Sequence, residues 1–206
     1  MTRTRLTRKA ITRALIQAYQ PGVIASQDGR AGMYAGVDLQ CAAVLVPLLR
    51  REGTWQLLFT RRTESVEHHK GQVSFPGGRC DPEEKTPEET ALREAREEIG
   101  LEPSAVQLLG RLNDYLTITH YRINPVVGII PFPYPFKLAP LEVGRVFTIP
   151  LAWLADRANW DEEPYTPDGV RRSFPVITYH PYHGETLWGA TARMTHHFLD
   201  ILGLFP

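Results

Sequence analysis

Cysteine is scarce in this chain: of 206 residues only Cys41 and Cys80 carry a thiol. Two are too few for a disulfide framework, and they lack the CxxC spacing of a zinc knuckle. Free thiols in a reducing cytosol are the expectation. An excess of one charge is missing too, since 23 Lys+Arg stand against 23 Asp+Glu and the pI is near 7.1. Such a balance gives no global field to draw in a polyanion, which argues against nucleic acid as a partner and requires any anionic substrate to be captured locally. Long hydrophobic runs are absent. The longest, near Ala42 to Leu49, is broken by Pro47 and falls far short of a membrane span, and the basic N-terminus has no apolar core behind it to serve as an export signal. A cytoplasmic chain without a membrane partner is therefore expected.

Internal repeats, low-complexity linkers and breaks in composition are also absent, so residues 1–206 are read as one domain. With 43% hydrophobic residues, a unit of this length buries roughly two thirds of its unfolded surface and needs no metal or cross-link merely to fold. Residues 1–22 form an N-terminal extension. Leu6, Ala10 and Ala14, with Ile11 and Leu15, recur at helical steps among Arg3, Arg5, Arg8, Lys9 and Arg13, and Pro21-Gly22 stops the pattern. The expectation is a helix docked on its own domain rather than an arm for an anionic surface.

Strands are predicted at Leu39 to Leu49, Trp55 to Thr60, Val106 to Leu116, Tyr121 to Ile130, Val143 to Ile149 and Arg172 to Tyr179. Pro150 to Ala155 opens a short helix, and Thr186 to Leu202 closes the chain with a longer one. The prolines of Pro131 to Phe136 exclude that segment from a central strand, leaving a loop whose aromatics either cover the core or line a substrate edge. The fold class expected is mixed α/β (α+β) in a single domain.

Chemistry concentrates between Gly77 and Gly100, which hold eight of the 23 acids. Thr86, Pro87 and Glu89 spell a capping box with proline at the first helical position, and Gly100 is placed as the terminator, so a helix is predicted over 87–99. Its apolar stripe is Ala91, Leu92, Ala95 and Ile99. Glu94 and Glu98 lie one turn apart with Glu97 beside them, and like charges at that spacing repel unless a cation intervenes. Carboxylates suit a hard divalent ion such as Mg²⁺. Taken alone, an Arg/Glu-rich helix is a solvated face laced by pairs such as Arg93 with Glu97. What changes the reading is Phe75-Pro76-Gly77-Gly78, a stretch of bare backbone able to approach a metal or a phosphate closely.

Gly78, five residues, Glu84, and then Arg93-Glu94-Ala95-Arg96-Glu97-Glu98-Ile99-Gly100-Leu101 resemble the Nudix box, here 77–101, with one residue more than usual between Glu84 and Arg93. Leu58 to Thr63 followed by Gly71 to Gly78 look like the motif that accompanies the box in coenzyme A diphosphatases, with departures at Phe59, Thr63 and Glu67. Glu142-Val143, Phe147, Pro150-Leu151 and Leu187 to Thr191 also look like that subgroup. The resemblance implies a Nudix-type α/β/α sandwich with a mixed central sheet and a loop-helix-loop. It also implies Mg²⁺, with Mn²⁺ as the alternative, held by Gly78, Glu94, Glu97 and Glu98, and hydrolysis of coenzyme A to 3′,5′-ADP and 4′-phosphopantetheine.

In that scheme Glu94 or Glu97 takes the proton of the attacking water and Arg93 orients a glutamate through its planar fork. Arg61, Arg62, Lys70 and Gly77 contact the substrate, and Arg79, His68 and His69 stand nearby. Glu142 is either an extra ligand or base, or an exposed acid. No metal is assigned to His180, His183, His196 or His197. A homodimer is expected from the family alone. Two other readings stay open: a diphosphatase for ADP-ribose or a dinucleotide, and a nucleotide-binding module without catalysis.

Overall fold

In the computed structural model, residues 6–25, 36–63, 71–166 and 173–205 are described. Ten strands and four α-helices build it, in the order α1 (Arg8–Ala18), β1 (Gln40–Arg51), β2 (Thr54–Arg62), β3 (Val73–Ser74), β4 (Gly77–Arg79), α2 (Pro87–Ile99), β5 (Gln107–Arg111), β6 (Tyr115–Leu116), β7 (Tyr121–Ile129), β8 (Val143–Pro150), α3 (Leu151–Leu154), β9 (Trp160–Tyr165), β10 (Phe174–Tyr179) and α4 (Gly189–Ile201).

The main sheet has eight strands. β1 lies parallel to β7, from Gln40↔Tyr121 to Leu48↔Ile129, and every other pairing in the sheet is antiparallel. That makes the sheet mixed, as expected. β1 reads as an unbroken apolar run because both its faces are covered. Ala43, Leu45 and Leu49 pack with Ala91, Ala95 and Ile99 of α2, whereas Val46 and Leu48 pack with residues of α1, α3 and α4 in a second, larger core. The sheet is thus sandwiched between helices. Ile11 and Leu15 are fully buried in that second core, so the N-terminal helix docks on its own domain, with Thr7 as its cap.

Several expectations need correction. Val106 to Leu116 is two strands, β5 and β6, rather than one. The closing helix begins at Gly189, since Trp188 is extended and bridges to Thr178. β3, β4 and β9 carry no pattern that announces them. β9 is an acidic segment, Trp-Asp-Glu-Glu-Pro-Tyr, that is strand only because it pairs with β10 from Trp160↔Tyr179 to Tyr165↔Phe174. Arg172 lies outside the described residues. The Pro131 to Phe136 aromatics do cover the core: Tyr134 and Phe136 pack against the α2 cluster.

The cysteines are not free thiols. Cys41 and Cys80 form a disulfide with their Cα atoms 5.4 Å apart. The register Ala42↔Arg79 between β1 and β4 sets them opposite one another, and the Cys80 N–H donates to the Cys41 carbonyl at 3.1 Å. The inference from free thiols to a reducing compartment therefore falls. Among the described residues no helix is long and apolar enough to cross a membrane.

Candidate active site

The acidic helix forms where its sequence signals place it. The Thr86 hydroxyl accepts from the Glu89 N–H, Glu89 returns the bond to the Thr86 N–H, Pro87 occupies the first turn, and Gly100 ends the helix in the left-handed conformation at φ 67°. The following loop then ties down the C-terminal turn, with Lys137 N–H donating to the Ile99 carbonyl and Ala139 N–H to that of Glu98. Because the buried stripe fixes the helix against β1 and β4, Glu94 and Glu98 are turned toward the glycine strand.

Contact between helix and strand is so close that only glycine fits. A Cβ placed on Gly78 would lie 2.5 Å from the Glu94 carboxyl carbon, and one on Gly77 would lie 2.4 Å from the Ala43 carbonyl oxygen. The Gly77 N–H donates to Glu98 Oε2 at 3.2 Å. On its other oxygen Glu98 faces Arg62, whose Nη1 is 3.7 Å away. Arg62 Nε is buried with no hydrogen-bond partner among the described residues.

Glu98 is only 4% exposed. Burial pushes its carboxyl up to about 8, the Gly77 N–H and Arg62 pull it back, and the negative charges of Glu94 and Glu142 add to the rise. The Glu94 carboxyl is raised as well, chiefly by burial and against the hydrogen bond from Arg93, with Glu97 and Glu142 adding their repulsion. Glu142 therefore acts electrostatically on both acids, although its own side chain is exposed. These buried oxygens are in net deficit of positive charge.

Arg93 is the hub. Its Nε donates to Glu84 Oε1 at 2.7 Å, Nη1 to Glu94 Oε1 at 2.9 Å and to Glu97 Oε2 at 3.0 Å, and Nη2 to the Arg79 carbonyl at 2.8 Å. Glu84, 12% exposed at its side chain, also accepts from Thr90 Oγ1 at 2.6 Å and from the Asp81 N–H at 2.8 Å. Burial would raise the Glu84 carboxyl, but the bonds from Arg93, Thr90 and Asp81 outweigh it and hold the group at about 2. Glu84 thus braces Arg93. The Arg93 guanidinium is in turn held in its charged form, first by the bond to Glu84.

Three acids converging on one point were expected, and the arrangement differs. Among the described residues no group of three His, Cys, Asp or Glu stands ready to hold a metal ion. The reason is Arg93, which supplies the neutralising charge: it draws Glu94 and Glu97 to itself, while Glu98 turns inward to Gly77. Glu97 is 59% exposed at its side chain. The donor chemistry still fits a hard dication, since the acids are oxygen donors, two of them raised by burial, and the adjoining backbone is bare.

The substrate contacts named from sequence scatter. Arg62 and Gly77 belong to the acid cluster. Arg61 points elsewhere, to Glu185, because successive residues of a strand face opposite sides of the sheet. Lys70, with His68 and His69, lies outside the described residues. Arg79 donates to the Tyr121 hydroxyl at 2.6 Å and stands over that ring. Beside Arg62 and Gly77 opens a cavity of about 350 Å³, walled by Phe75, Tyr115, Phe174, Trp188 and Met194. Trp188 to Thr191 line it.

The NUDIX domain model matches residues 39–168. The chain belongs to the Nudix family. It is 33% identical over 188 residues to the uncharacterized Nudix hydrolase NudL of Yersinia pestis (strain Pestoides F), covering 91% of this chain and 90% of that one, and is related to the same extent to the NudL of Yersinia pseudotuberculosis serotype O:1b (strain IP 31758). Among solved structures, the Nudix hydrolase RenU of M. smegmatis superposes with a TM-score of 0.54 at 19% identity, covering 81% of this chain and 88% of that one, a likeness of fold. The chain is accordingly a Nudix hydrolase, acting on pyrophosphate bonds of nucleoside diphosphate derivatives. Hydrolases of this family generally use divalent ions such as Mg²⁺.

Proposed function

We propose that this Nudix hydrolase cleaves the diphosphate of coenzyme A or its derivatives, giving 3′,5′-ADP and 4′-phosphopantetheine. The observation that carries the reading is the cavity beside Arg62 and Gly77. A largely aromatic and aliphatic wall, with Arg62 and Arg193 among its lining, suits a substrate whose diphosphate continues into a long, weakly polar arm. The motif around Leu187 to Thr191, which supplies part of that wall, supports the same subgroup.

Glu94, Glu97, Glu98 and the Gly78 carbonyl would hold Mg²⁺ or Mn²⁺. When bound, the ion neutralises the phosphate oxygens and lowers the pKa of water. Arg62, with a buried Nε that lacks a partner among the described residues, is placed to donate to a phosphate oxygen. Arg93, fixed by Glu84, sets the positions of Glu94 and Glu97, and either of these takes the proton of the attacking water. Gly78 keeps a side chain away from the Glu94 carboxylate, and Gly77 lets the strand lie against the β1 backbone. Glu142 adds its negative charge to those of Glu94 and Glu98.

Incubation of the protein with Mg²⁺ and coenzyme A, ADP-ribose or a diadenosine polyphosphate, with identification of products, tests the assignment. The two products of coenzyme A, 3′,5′-ADP and 4′-phosphopantetheine, are expected to accumulate fastest. Faster turnover of ADP-ribose or of the dinucleotide removes the coenzyme A reading.

A further inference from the structure

The Cys41–Cys80 disulfide stands beside the group that organises the acids, and the diphosphate chemistry makes no use of it. Cys41 lies on β1, a central strand of the sheet, with Arg122 of β7 as its register partner. Cys80 follows directly on β4, which is only Gly77–Arg79. Two of those three residues are glycines with no side chain to pack, so, apart from the Arg79 bond to the Tyr121 hydroxyl, backbone bonds and the covalent link tie this strand's end to the sheet. The ladder runs Val44↔Gly77, Ala43↔Gly78 and Ala42↔Arg79, and the Cys80 N–H closes it on the Cys41 carbonyl at 3.1 Å. Beyond Cys80 the chain leaves the sheet into the exposed residues Asp81, Pro82 and Glu83.

Both chain neighbours of Cys80 touch the Arg93 system. On one side, the Arg79 carbonyl accepts from Arg93 Nη2 at 2.8 Å. On the other, the Asp81 N–H donates to Glu84 Oε2 at 2.8 Å, and the Asp81 carboxylate lies 3.4 Å from Arg93 Nε. Glu84 in turn takes the Arg93 Nε–H on Oε1 at 2.7 Å. One residue before the disulfide thus meets one edge of the guanidinium, and one residue after it holds the brace on another. Hydrogen bonds of this length weaken once the partners part by a few tenths of an ångström, so a shift of the β4 end reaches Arg93 directly. The bond is also reachable from solvent, since Cys41 is exposed and Cys80 half-buried.

We propose that the Cys41–Cys80 disulfide is a redox switch on the active site: closed, it holds the Arg79 carbonyl and the Asp81 N–H where Arg93 and Glu84 need them, and opened by a dithiol it releases the β4 end and slows turnover. In the opening step a thiolate of the dithiol attacks one sulfur, the S–S bond breaks, and the second sulfur of the dithiol displaces the mixed disulfide. Cys41 and Cys80 end as two thiols, having gained two electrons and the dithiol's two protons, and the dithiol ends as its own disulfide. The switch rests on the reading of Arg93 as the group that sets Glu94 and Glu97, and not on the identity of the substrate.

The test measures kcat and KM with Mg²⁺, on whichever of coenzyme A, ADP-ribose and a diadenosine polyphosphate is turned over fastest, in protein purified without reductant, after dithiothreitol, and after the bond is re-formed with oxidised glutathione. Losing one hydrogen bond to a charged donor predicts a fall in kcat of about tenfold or more on reduction, with KM nearly unchanged and recovery on reoxidation. The double variant Cys41→Ser, Cys80→Ser should sit at the reduced level and ignore both reagents. Arg93→Lys, whose single ammonium cannot span Glu84 and the Arg79 carbonyl, should start low and lose little more on reduction. Hydrogen exchange gives a readout independent of turnover: amides of residues 78–81 should exchange faster in the reduced protein while α2 keeps its protection. An unchanged kcat after reduction, an equal fall in wild type and Arg93→Lys, or two titratable thiols in the protein before reduction overturns the switch and leaves the role of Arg93 standing. Loss of the native circular dichroism on reduction overturns it too, by making the bond a staple of the whole fold. Full turnover by Arg93→Lys removes the Arg93 reading, and the switch with it.

Discussion

Glu98→Gln in metal-free protein should make stability respond less to pH, and the size of the effect follows from the burial of one carboxyl. Its pKa in the fold is about 8 against an ordinary 4.5, so the folded state holds a proton that the unfolded chain has released. The stabilising contribution of the neutral carboxyl is complete below 4.5 and drains away as pH rises toward 8. Each pH unit in that window is worth about 1.4 kcal/mol, so moving from pH 5 to pH 8 costs the wild type about 3 kcal/mol relative to a side chain that cannot ionise. Glutamine keeps an oxygen for the Gly77 N–H and loses the attraction to Arg62, 3.7 Å away. The Gly77 bond is common to both pH values and cancels when the two are compared, and the Arg62 attraction, present only when Glu98 is ionised, is already contained in the pKa of about 8. Urea unfolding in EDTA at pH 5 and pH 8 measures the quantity directly, and the variant should gain on the wild type by about 3 kcal/mol between them. Parallel stabilities at both pH values would refute a buried, undercompensated Glu98. Added Mg²⁺ should stabilise the wild type and not the variant, and the variant should lose most Mg²⁺-dependent turnover, since the acid that burdens the free fold is the one proposed to hold the ion.

Gly78→Ala would put a methyl 2.5 Å from the Glu94 carboxyl carbon, so kcat should fall at least about tenfold while circular dichroism stays native. Glu84→Ala removes the brace from Arg93 and should lower kcat about tenfold and stability by about 1–2 kcal/mol, the latter kept small because solvent reaches the pair. Since the Glu84 pKa is depressed to about 2, the stabilising part is present above 4.5 and fades as pH drops toward 2, and denaturation curves at pH 7 and pH 3 should show the gap narrowing. Reducing the Cys41–Cys80 disulfide opens a link across a sequence separation of 39 and should destabilise the protein by up to about 4 kcal/mol, read from thermal unfolding with and without dithiothreitol.

How far the site can be read before folding depends on the range of the interactions that define each piece. α2 is legible to the residue because its signals are local: Thr86, Pro87 and Glu89 at one end, Gly100 at the other, and a stripe that repeats every turn. β1, β2, β7 and β8 are legible because double-sided burial or alternation leaves runs of apolar residues. β4 is three residues long and is strand only because β1 offers it a ladder, so the glycine approach was foreseen without the strand that creates it, and the disulfide that this ladder aligns was missed altogether. β9 is harder still, since an acidic segment with a proline has no strand preference until β10 lies beside it.

The same distinction of range explains why the arginines were harder to place than the acids. Glu94 and Glu98 lie on one helix, so their neighbourhood follows from a spacing of four. Arg61 and Arg62 lie on a strand, where neighbours diverge to opposite faces. One goes to Glu98 and the other to Glu185, a residue 124 positions away with no local signal. Arg93 belongs to both cases: its bonds to Glu94 and Glu97 are helical neighbours and were foreseeable, whereas Glu84 reaches it across a loop one residue longer than the family spacing. Glu84 nonetheless meets Arg93 Nε at 2.7 Å, and the Asp81 N–H donates to the same carboxylate. The helix therefore keeps its register, and the brace on Arg93 survives the insertion.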